Sequence, residues 1–435
     1  MEFTPIYKSE EYLEHEQQLR MVDHIFNGID SATDYLRRFP KEEDIVFEER
    51  KEDASIDNFI NRTVHTTKNI IFRKNIDTAG ILNAEVEKWS KSIDFTNTIN
   101  EFGKMTLVNR IKDGVSYVLV DSVNYNAKEV TSKLVQESLN IRPYFVNIKR
   151  SDVINYSLDA QGQYQIFTIL ETYEDDSNPY RKEIKEQVRV FLAGGIIEIW
   201  RENELFDRIE TSLSVIPIVK IGNDLIPPLY DQSKINIQHL NRHSECNNYV
   251  RVGASPFLAV FGSLEGEAPK TLGINSGLKF NDTESDVKWI EMTGANFAII
   301  KDWMIILESQ MEKISIEFVT ELRNATATEV EKSSTSNESK LSNYSSELQD
   351  GLNLALEYLG LYKENLGENT ISVNSDFASN ILTAEQFNAI MSLRTNGDVS
   401  YERLMKLLER GELLPMLDEK EIETEKALLI NEGNF

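Results

Sequence analysis

The chain has 435 residues, 40% of them hydrophobic, which is enough for two or three domains with a sizeable core. Its 72 acidic and 46 basic residues give a net charge of −26, which repels phosphate backbones and disfavours a conventional DNA-binding protein. Cys246 is the single cysteine, so no disulfide can form within the chain, as expected for assembly in a reducing cytoplasm. No apolar run approaches the roughly eighteen residues of a membrane span, and the acidic start lacks an apolar signal core.

The N-terminal third is predicted to be mainly helical. Apolar residues recur at helical spacing through residues 1 to about 75. A further helix is predicted over FTNTINEFGKMTLVNRIKDG, ending at Gly114, and the alternation in VSYVLVD then predicts a strand.

Residues 141–221 are rich in β-branched and aromatic residues and predict strands. We expect antiparallel pairing, because no helix-sized segment separates these strands. Ala193-Gly194-Gly195 predicts a tight hairpin, and Pro217 favours an edge position for the last strand.

Two long helices are predicted on either side of a strand-containing excursion. The first follows Pro227 and ends near Gly253, and it is polar nearly all round. Such a helix is either solvated or packed on polar neighbours. FLAVFG and DVKWIEM, with glycine-rich turns between them, predict a small lobe. The second helix has a heptad seam formed by Ile300, Met304, Leu307, Met311, Ile314 and Phe318.

A third long helix and a helical tail complete the chain. The segment before this helix is rich in Ser, Thr and Asn, which is typical of a flexible loop or a weak helix. Thr383 and Gln386 resemble a capping box, and Asn396-Gly397 separates two short amphipathic helices. One face of the third long helix is predicted to carry Leu341, Tyr344, Leu348, Leu352, Ala355, Leu359 and Tyr362.

Motifs of catalysis are scarce in this sequence. The phosphate-binding patterns GxxxxGK[ST] and GxGxxG are absent, which disfavours an ATPase or a dinucleotide enzyme. His239 and His243 are four apart on the polar helix, near Glu245, and leave open a metal-dependent hydrolase. The glutamate of an HExxH motif is missing, so an incidental histidine pair is the preferred interpretation. We therefore predict no catalytic residue, no metal and no cofactor.

The order of these segments carries a family resemblance. GIDSATDYLRRFP, DGVSYVLVD, IPPLYDQSKINIQHLNRHSECNNYVRVGASPFLAVFG, DVKWIEMTGANFAIIKDWMIILESQM, NATATEVEKSSTSNESKLS and LTAEQFNAIMSLRTNGDVSYERLMKLLERGELL follow one another collinearly. This series resembles tailed-bacteriophage portal proteins, in particular the phage portal-like family of unknown function numbered 4055.

The resemblance implies an α+β fold with portal architecture. Its implied parts are a wing over 1–226, containing the N-terminal α+β part and the antiparallel sheet, an outgoing stem helix over 227–254, a small strand-containing clip over 255–293, a returning stem helix over 294–319, a tunnel loop and long wing helix over 320–369, and a small helical crown over 370–435.

The same resemblance implies a structural role without enzymatic activity. Portals form rings, usually of twelve subunits, through which double-stranded DNA passes without sequence specificity during packaging and ejection. The implied partners are the large subunit of the terminase motor, a head-to-tail adaptor, scaffold and major capsid protein. The implied location is the portal vertex of the virion capsid, after assembly in the host cytoplasm. A structural adaptor that forms no ring is the other alternative.

Three groups of residues follow from the implied architecture. The stem residues facing the channel would be Lys301, Glu308 and Lys313, with the two lysines as weak basic rings. Docking at the clip would use Phe257, Phe261 and Trp289. The tunnel loop would contain Asn324, Ala325, Thr326, Ala327, Thr328 and Glu329.

Overall fold

The computed structural model describes residues 6–122, 140–175, 181–253, 257–262, 284, 286–290, 295–319, 327–375, 377 and 392. Helices and antiparallel sheets occupy separate stretches of these residues, which confirms the predicted α+β class. The helices are α1 Glu10–Asn27, α2 Ile29–Ala32, α3 Asp44–Glu52, α4 Phe59–Ile71, α5 Ala84–Ser90, α6 Ile99–Asp113, α7 Tyr230–Gly253, α8 Ala295–Val319 and α9 Ala327–Tyr358. None of the helices in the described ranges is long and apolar enough to cross a bilayer.

The chain divides into two compact units. The first contains Met1–Thr320 and Ser339–Ser375, and the contacts reported below lie within it. The second contains Glu321–Glu338 and Asp376–Phe435, and its described backbone includes the helical residues 327–338. The predicted short tail helices around Thr383 and Asn396 lie outside the described residues.

Side-chain caps fix the starts of the N-terminal helices. Ser9, Asn58 and Thr98 each accept a backbone N–H from the first turn of α1, α4 and α6. Such caps satisfy donors that have no partner inside the helix. α6 ends at Asp113, and the predicted end residue Gly114 follows as its C-cap with a φ of 82° that favours glycine.

The strands of the described residues form three antiparallel sheets. The orders are β2-β1-β8, β3-β4-β5-β6-β7 and β9-β10. Gly194 and Gly195, both at positive φ, connect β5 to β6 in the predicted hairpin, and β8 lies at a sheet edge after Pro217, also as predicted. The strands are β1 Ser116–Ser122, β2 Pro143–Lys149, β3 Val153–Leu158, β4 Tyr164–Asp175, β5 Glu183–Leu192, β6 Ile196–Arg201, β7 Glu204–Glu210, β8 Ile218–Ile221, β9 Phe257–Phe261 and β10 Asp286–Ile290.

Residues 141–221 form parts of two sheets with a shared core. A 3₁₀ turn at Arg150–Asp152 separates β2 from β3, so consecutive strands enter different sheets. The buried Arg150 stabilises this change of direction by donating to the carbonyls of Asp113 and Asp224, each over 3.1 Å. The core between the sheets contains Val115, Tyr117, Leu119, Ile148, Val153, Phe167, Ile169, Phe191, Ile216 and Ile218.

α9 packs through the apolar face that its sequence predicts. Leu348, Leu352 and Ala355 are fully buried, and the Tyr362 hydroxyl beyond the helix donates to the Val120 carbonyl over 2.9 Å. On the same side, Glu347 accepts a hydrogen bond from the buried Arg110 at 2.7 Å. The helix is therefore attached to both α6 and the three-stranded sheet.

Candidate functional site: the paired helices

α7 and α8 form an antiparallel pair with the β9-β10 hairpin between them in the chain. Gln232 contacts Met311 and Ser315, whereas His239, seven residues later, contacts Glu308. Advancing along α7 thus means moving backwards along α8. Both helices begin and end close to the predicted positions. In the hairpin, β9 and β10 pair in antiparallel orientation from Phe257 opposite Ile290 to Phe261 opposite Asp286.

The polar helix α7 is packed on polar neighbours, which decides between the two predicted alternatives. Gln232 and Asn236 are fully buried, and His239 is 1% exposed. Asn236 donates to the Asp57 carbonyl over 2.9 Å and accepts from the Phe59 N–H at 3.3 Å. Because buried amides and imidazoles need directional partners, these contacts fix both the rotation and the register of the helix.

The side chain of Gln232 connects three helices. Gln232 Nε2 lies 2.8 Å from Ser315 Oγ and 3.3 Å from Thr63 Oγ1 of α4, and the two hydroxyl oxygens are 2.6 Å apart. The Gln232 amide also donates to the Met311 carbonyl over 3.1 Å. A small hydrogen-bonded network therefore links α4, α7 and α8.

α8 has one buried seam and one exposed apolar stripe. Leu307 and Met311 of the predicted heptad seam are 1% and 0% exposed. Next to this seam, Ile299 is 68% exposed, and Trp303 and Ile306 are each 45% exposed. Their spacing of four and three residues places them on one face. We call Ile299, Trp303 and Ile306 the α8 stripe.

His239 meets two carboxylates from other parts of the fold. Its Nε2 lies 3.0 Å from Glu308 Oε1 on α8. Asp57, in the segment before α4, completes a group in which one ligand atom per residue lies within 4.8 Å of the others. Burial of His239 is nearly complete, whereas Glu308 is half-buried and Asp57 is exposed.

His239 and His243 share a helical face, but they do not form the group with Glu245 that the alternative of a hydrolase required. The two imidazole rings are stacked with centroids 6.4 Å apart. His243 contacts Ser55 Oγ at 3.3 Å, and burial, followed by the nearby His239, lowers its pKa. Glu245 is six residues from His239 and pairs with Arg242 at 2.5 Å instead. This arrangement contradicts a hydrolase site built from His239, His243 and Glu245.

A cleft of about 330 Å³ lies beside the C-terminal half of α7. The Arg50 guanidinium at its wall is already paired with Glu42 through two 2.8 Å contacts and donates to Ser244 Oγ. This hydrogen bonding to Arg50 lowers the pKa of Glu42. The cation therefore has a structural partner and is not presented to an anionic ligand. The lining residues are Arg50, Asp53, Ser244, Asn247, Asn248, Val250 and Arg251.

The residues predicted for docking lie on the β9-β10 hairpin. Phe257 and Phe261 end β9, and Trp289 lies in β10 opposite Leu258. Trp289 is 63% exposed and Phe261 is 52% exposed. Their exposure leaves both rings accessible, while the docking role stays a prediction.

The residues predicted to face a channel differ in their surroundings. Lys301 and Lys313 are exposed on α8. Glu308 is committed to an interaction within the protomer, since its carboxylate contacts the buried His239. The channel itself stays a prediction.

The predicted tunnel loop falls partly outside the described residues, which omit Asn324, Ala325 and Thr326. Ala327, Thr328 and Glu329 are helical and form the start of α9. For these three residues the alternative of a helix is therefore correct, and the loop interpretation is not. Serine, threonine and asparagine disfavour helices only weakly, and a long apolar face further along can outweigh them.

Comparison with known sequences bears on the paired helices directly. Residues 228–362 match the family described as Domain of unknown function (DUF4055). The predicted resemblance to this family is confirmed over that segment. The DUF4055 segment contains α7, the hairpin, α8 and α9, and it ends at Tyr362. No curated protein matches the chain.

Two solved structures share a distant likeness with the chain. One is the "Virion of native gene transfer agent (GTA) particle", with 10% identity and a TM-score of 0.43, covering 80% of this chain and 89% of that chain. The other is the "Neck of empty GTA particle computed with C6 symmetry", also with 10% identity and a TM-score of 0.43, covering 82% and 90%. A likeness at this level does not bear on function.

Proposed function

We propose that this chain is a portal-type structural protein. Copies of it would assemble into a ring at one capsid vertex, forming a channel for the packaging and ejection of double-stranded DNA. The observation that carries the proposal is the antiparallel α7-α8 pair with an intervening two-stranded hairpin, inside the DUF4055 segment. This order of elements is the one that the portal resemblance predicts for stem and clip.

The α8 stripe supports assembly from many copies. Trp303 is a large apolar side chain exposed on a helix whose adjacent seam is already buried at Leu307 and Met311. A ring needs a surface on each protomer that meets a different surface on the next one, and an exposed apolar edge on a long helix is suited to this. In the proposal, the stripe packs against the neighbouring protomer.

The charge of the chain suits a conduit. A net charge of −26 repels the DNA backbone, so a duplex inside the ring would slide without being held. Lys301 and Lys313, both exposed on α8, are the proposed weak basic rings of the channel. Residues 324–329 are proposed to approach the DNA near the start of α9.

The remaining parts of the proposal concern partners. The hairpin, with Phe257, Phe261 and Trp289, is assigned to docking of the terminase motor and a head-to-tail adaptor. Residues 1–226 are assigned to the wing, in contact with scaffold and major capsid protein, and 370–435 to the crown. The protein is proposed to act in the virion as a structural component without catalysis.

The first test is the mass and shape of the purified full chain. Light scattering and electron-microscope class averages should reveal a ring with an axial hole and a mass near twelve copies of the 49.9 kDa chain. Since some rings close only with help, the measurement is repeated at high protein concentration and with the cognate scaffold. A monomer or dimer under all of these conditions would overturn the ring and favour a non-ring adaptor.

A further inference from the structure

We propose that Asp57, His239 and Glu308 bind one divalent transition-metal cation of the zinc class. The site would be structural, and it is independent of the proposed portal function. Its three ligands come from the segment before α4, from α7 and from α8. A cation there would join these parts of the fold at a single point.

The spacing of the donor atoms allows a shared ion. One ligand atom from each residue lies within 4.8 Å of the others, and His239 Nε2 is 3.0 Å from Glu308 Oε1. Two ligands of one cation are separated by at most twice the metal–ligand bond length, or roughly 4 to 5 Å. The three side chains therefore need only small adjustments to reach a common ion.

The imidazole supplies an observation independent of the carboxylates. His239 is 1% exposed, and its Nδ1 atom is buried without a hydrogen-bond partner in the described part of the chain. A neutral imidazole has one protonated and one unprotonated nitrogen, and each requires a partner when it is removed from water. The two ring nitrogens point in different directions, so Nε2, which faces Glu308, is the atom that would bind the cation, and Nδ1 would then carry the proton of the neutral ring.

The donor set favours a particular class of cation. One imidazole nitrogen with two carboxylates suits zinc and its neighbours, whereas Ca²⁺ and Mg²⁺ prefer sites made only of oxygen. The two carboxylates also balance the charge of a divalent ion, which lowers the cost of placing it beside a buried ring. Asp57 is exposed, so the ion has a route from solvent.

The sequence could not indicate this cluster. Asp57 and Glu308 are far from His239 in the chain and are brought to it by the packing of α7 against α8 and of Asn236 against the Asp57 backbone. The prediction of no metal site rested on the missing glutamate of a local motif. Ligands from three separate elements leave no such motif.

The test is a titration of the EDTA-dialysed full chain with ZnCl₂, followed by calorimetry and by thermal unfolding. We expect saturable binding of one Zn²⁺ per chain and a Tm that rises with Zn²⁺ concentration. The variants Asp57→Asn and Glu308→Gln keep the size of each side chain and remove one ligand charge. Each should weaken Zn²⁺ binding at least tenfold, in line with the loss of a metal ligand or its support.

Matched controls separate this site from other zinc-binding groups. Glu312→Gln removes an exposed carboxylate from the same helix, and Cys246→Ser removes the thiol; both should bind as the wild type does. CaCl₂ should bind more weakly than ZnCl₂. The proposal is overturned if no saturable Zn²⁺ binding occurs, if Asp57→Asn and Glu308→Gln bind normally, if Cys246→Ser abolishes binding, or if Ca²⁺ binds equally well.

Discussion

Gln232 of α7 donates a hydrogen bond to the main-chain carbonyl of Met311 on α8 across 3.1 Å, and both side chains are fully buried. The same amide contacts Ser315 Oγ at 2.8 Å. A polar side chain therefore occupies the centre of the helix pair. The stability of the pair depends on hydrogen bonds as well as on apolar contact.

The first prediction concerns this amide. Gln232→Ala should lower the free energy of unfolding by about 2 to 4 kcal/mol. The substitution leaves a cavity, and the Ser315 hydroxyl loses the N–H group that donates to it. Urea unfolding measures the change. Gln238→Ala, at an exposed position of the same helix, should change stability by less than about 0.5 kcal/mol. Equal effects at the two positions would contradict a structural role for the network.

A second prediction concerns the buried carboxyl at the end of α6. Burial raises the pKa of Asp113 to about 6 from an ordinary value of 3.8, although Lys112 beside it opposes the shift. The folded state therefore holds this proton more tightly than the unfolded state does. The contribution of Asp113 to stability is greatest below pH 4 and decreases as pH rises to about 6, by up to about 3 kcal/mol.

The variant Asp113→Asn should not show this loss of stability with rising pH, because an amide does not ionise. It should be more stable than the wild type at pH 7.5, and the difference should shrink towards pH 4. Urea unfolding of both proteins from pH 4 to pH 7.5 measures the difference in the free energy of unfolding and tests its sign. Asp350→Asn, at an exposed position of α9, serves as the control and should not alter the pH dependence in this way. A variant that is less stable at every pH would refute the prediction.

The third prediction concerns a glycine that is packed against an arginine. Gly222 has a φ of 87°, and a Cβ there would lie 1.9 Å from Arg110 Nε. Arg110 cannot move away easily, because it bonds Glu347 at 2.7 Å and Asp224 at 2.8 Å. Gly222→Ala should therefore cost about 3 kcal/mol or more, through strain and overpacking.

Gly360→Ala is the matched control, since its Cβ would meet no atom within 4 Å. It should leave the free energy of unfolding nearly unchanged. Thermal and urea unfolding of both variants give the comparison. If Gly222→Ala is as stable as Gly360→Ala, the Arg110 side chain is less constrained than its contacts indicate.

The fourth prediction rests on the proposed ring. Trp303→Glu places a charge in the α8 stripe and should prevent assembly while leaving the protomer folded, since the side chain is 45% exposed. Light scattering should show loss of the large species, and circular dichroism should match the wild type. Leu82→Glu, at an 82% exposed position outside the stripe, should assemble normally. Assembly of Trp303→Glu into intact rings would exclude the stripe from the interface.

The fifth prediction concerns the proposed basic rings of the channel. Lys301→Glu and Lys313→Glu should each reduce the amount of DNA packaged per particle, because each removes a proposed basic ring whose attraction for the phosphates offsets the repulsion by the acidic chain. Quantification of packaged DNA tests this. Lys88→Glu on α5, also exposed, provides a charge-matched control. Normal packaging by both α8 variants would remove these lysines from the proposed channel.

Regular patterns in the sequence predicted much of the fold. The apolar spacing in α8 and α9 placed the buried seams, and Gly114, Gly194 and Gly195 marked the end of α6 and the β5-β6 turn. These signals succeed because period and turn chemistry are local properties of the chain. The strand β7 was not predicted, because its side chains are almost all exposed and show little alternation. The available signal was Asn203 in the turn before it, because asparagine is common in turns and tolerates the positive φ that this residue adopts.

The candidate site was harder to predict than the fold. The polar character of α7 indicated either water or polar neighbours, and only the three-dimensional contacts of Asn236 and His239 decide between them. The alternative that grouped His239 with Glu245 was wrong, because a residue six positions from His239 lies on a different helical face. Partners such as Glu308 become adjacent through packing, which no local spacing encodes.

The buried polar residues of α7 also have a mechanical consequence. Two helices joined only by aliphatic side chains can slip past one another with small changes in energy, whereas slipping α7 would break the contacts of Gln232, Asn236 and His239 together. The two helices are therefore expected to move together as one rigid unit. A force applied at the hairpin end would reach Thr63 on α4 as a displacement of the whole pair, and would not be absorbed by sliding.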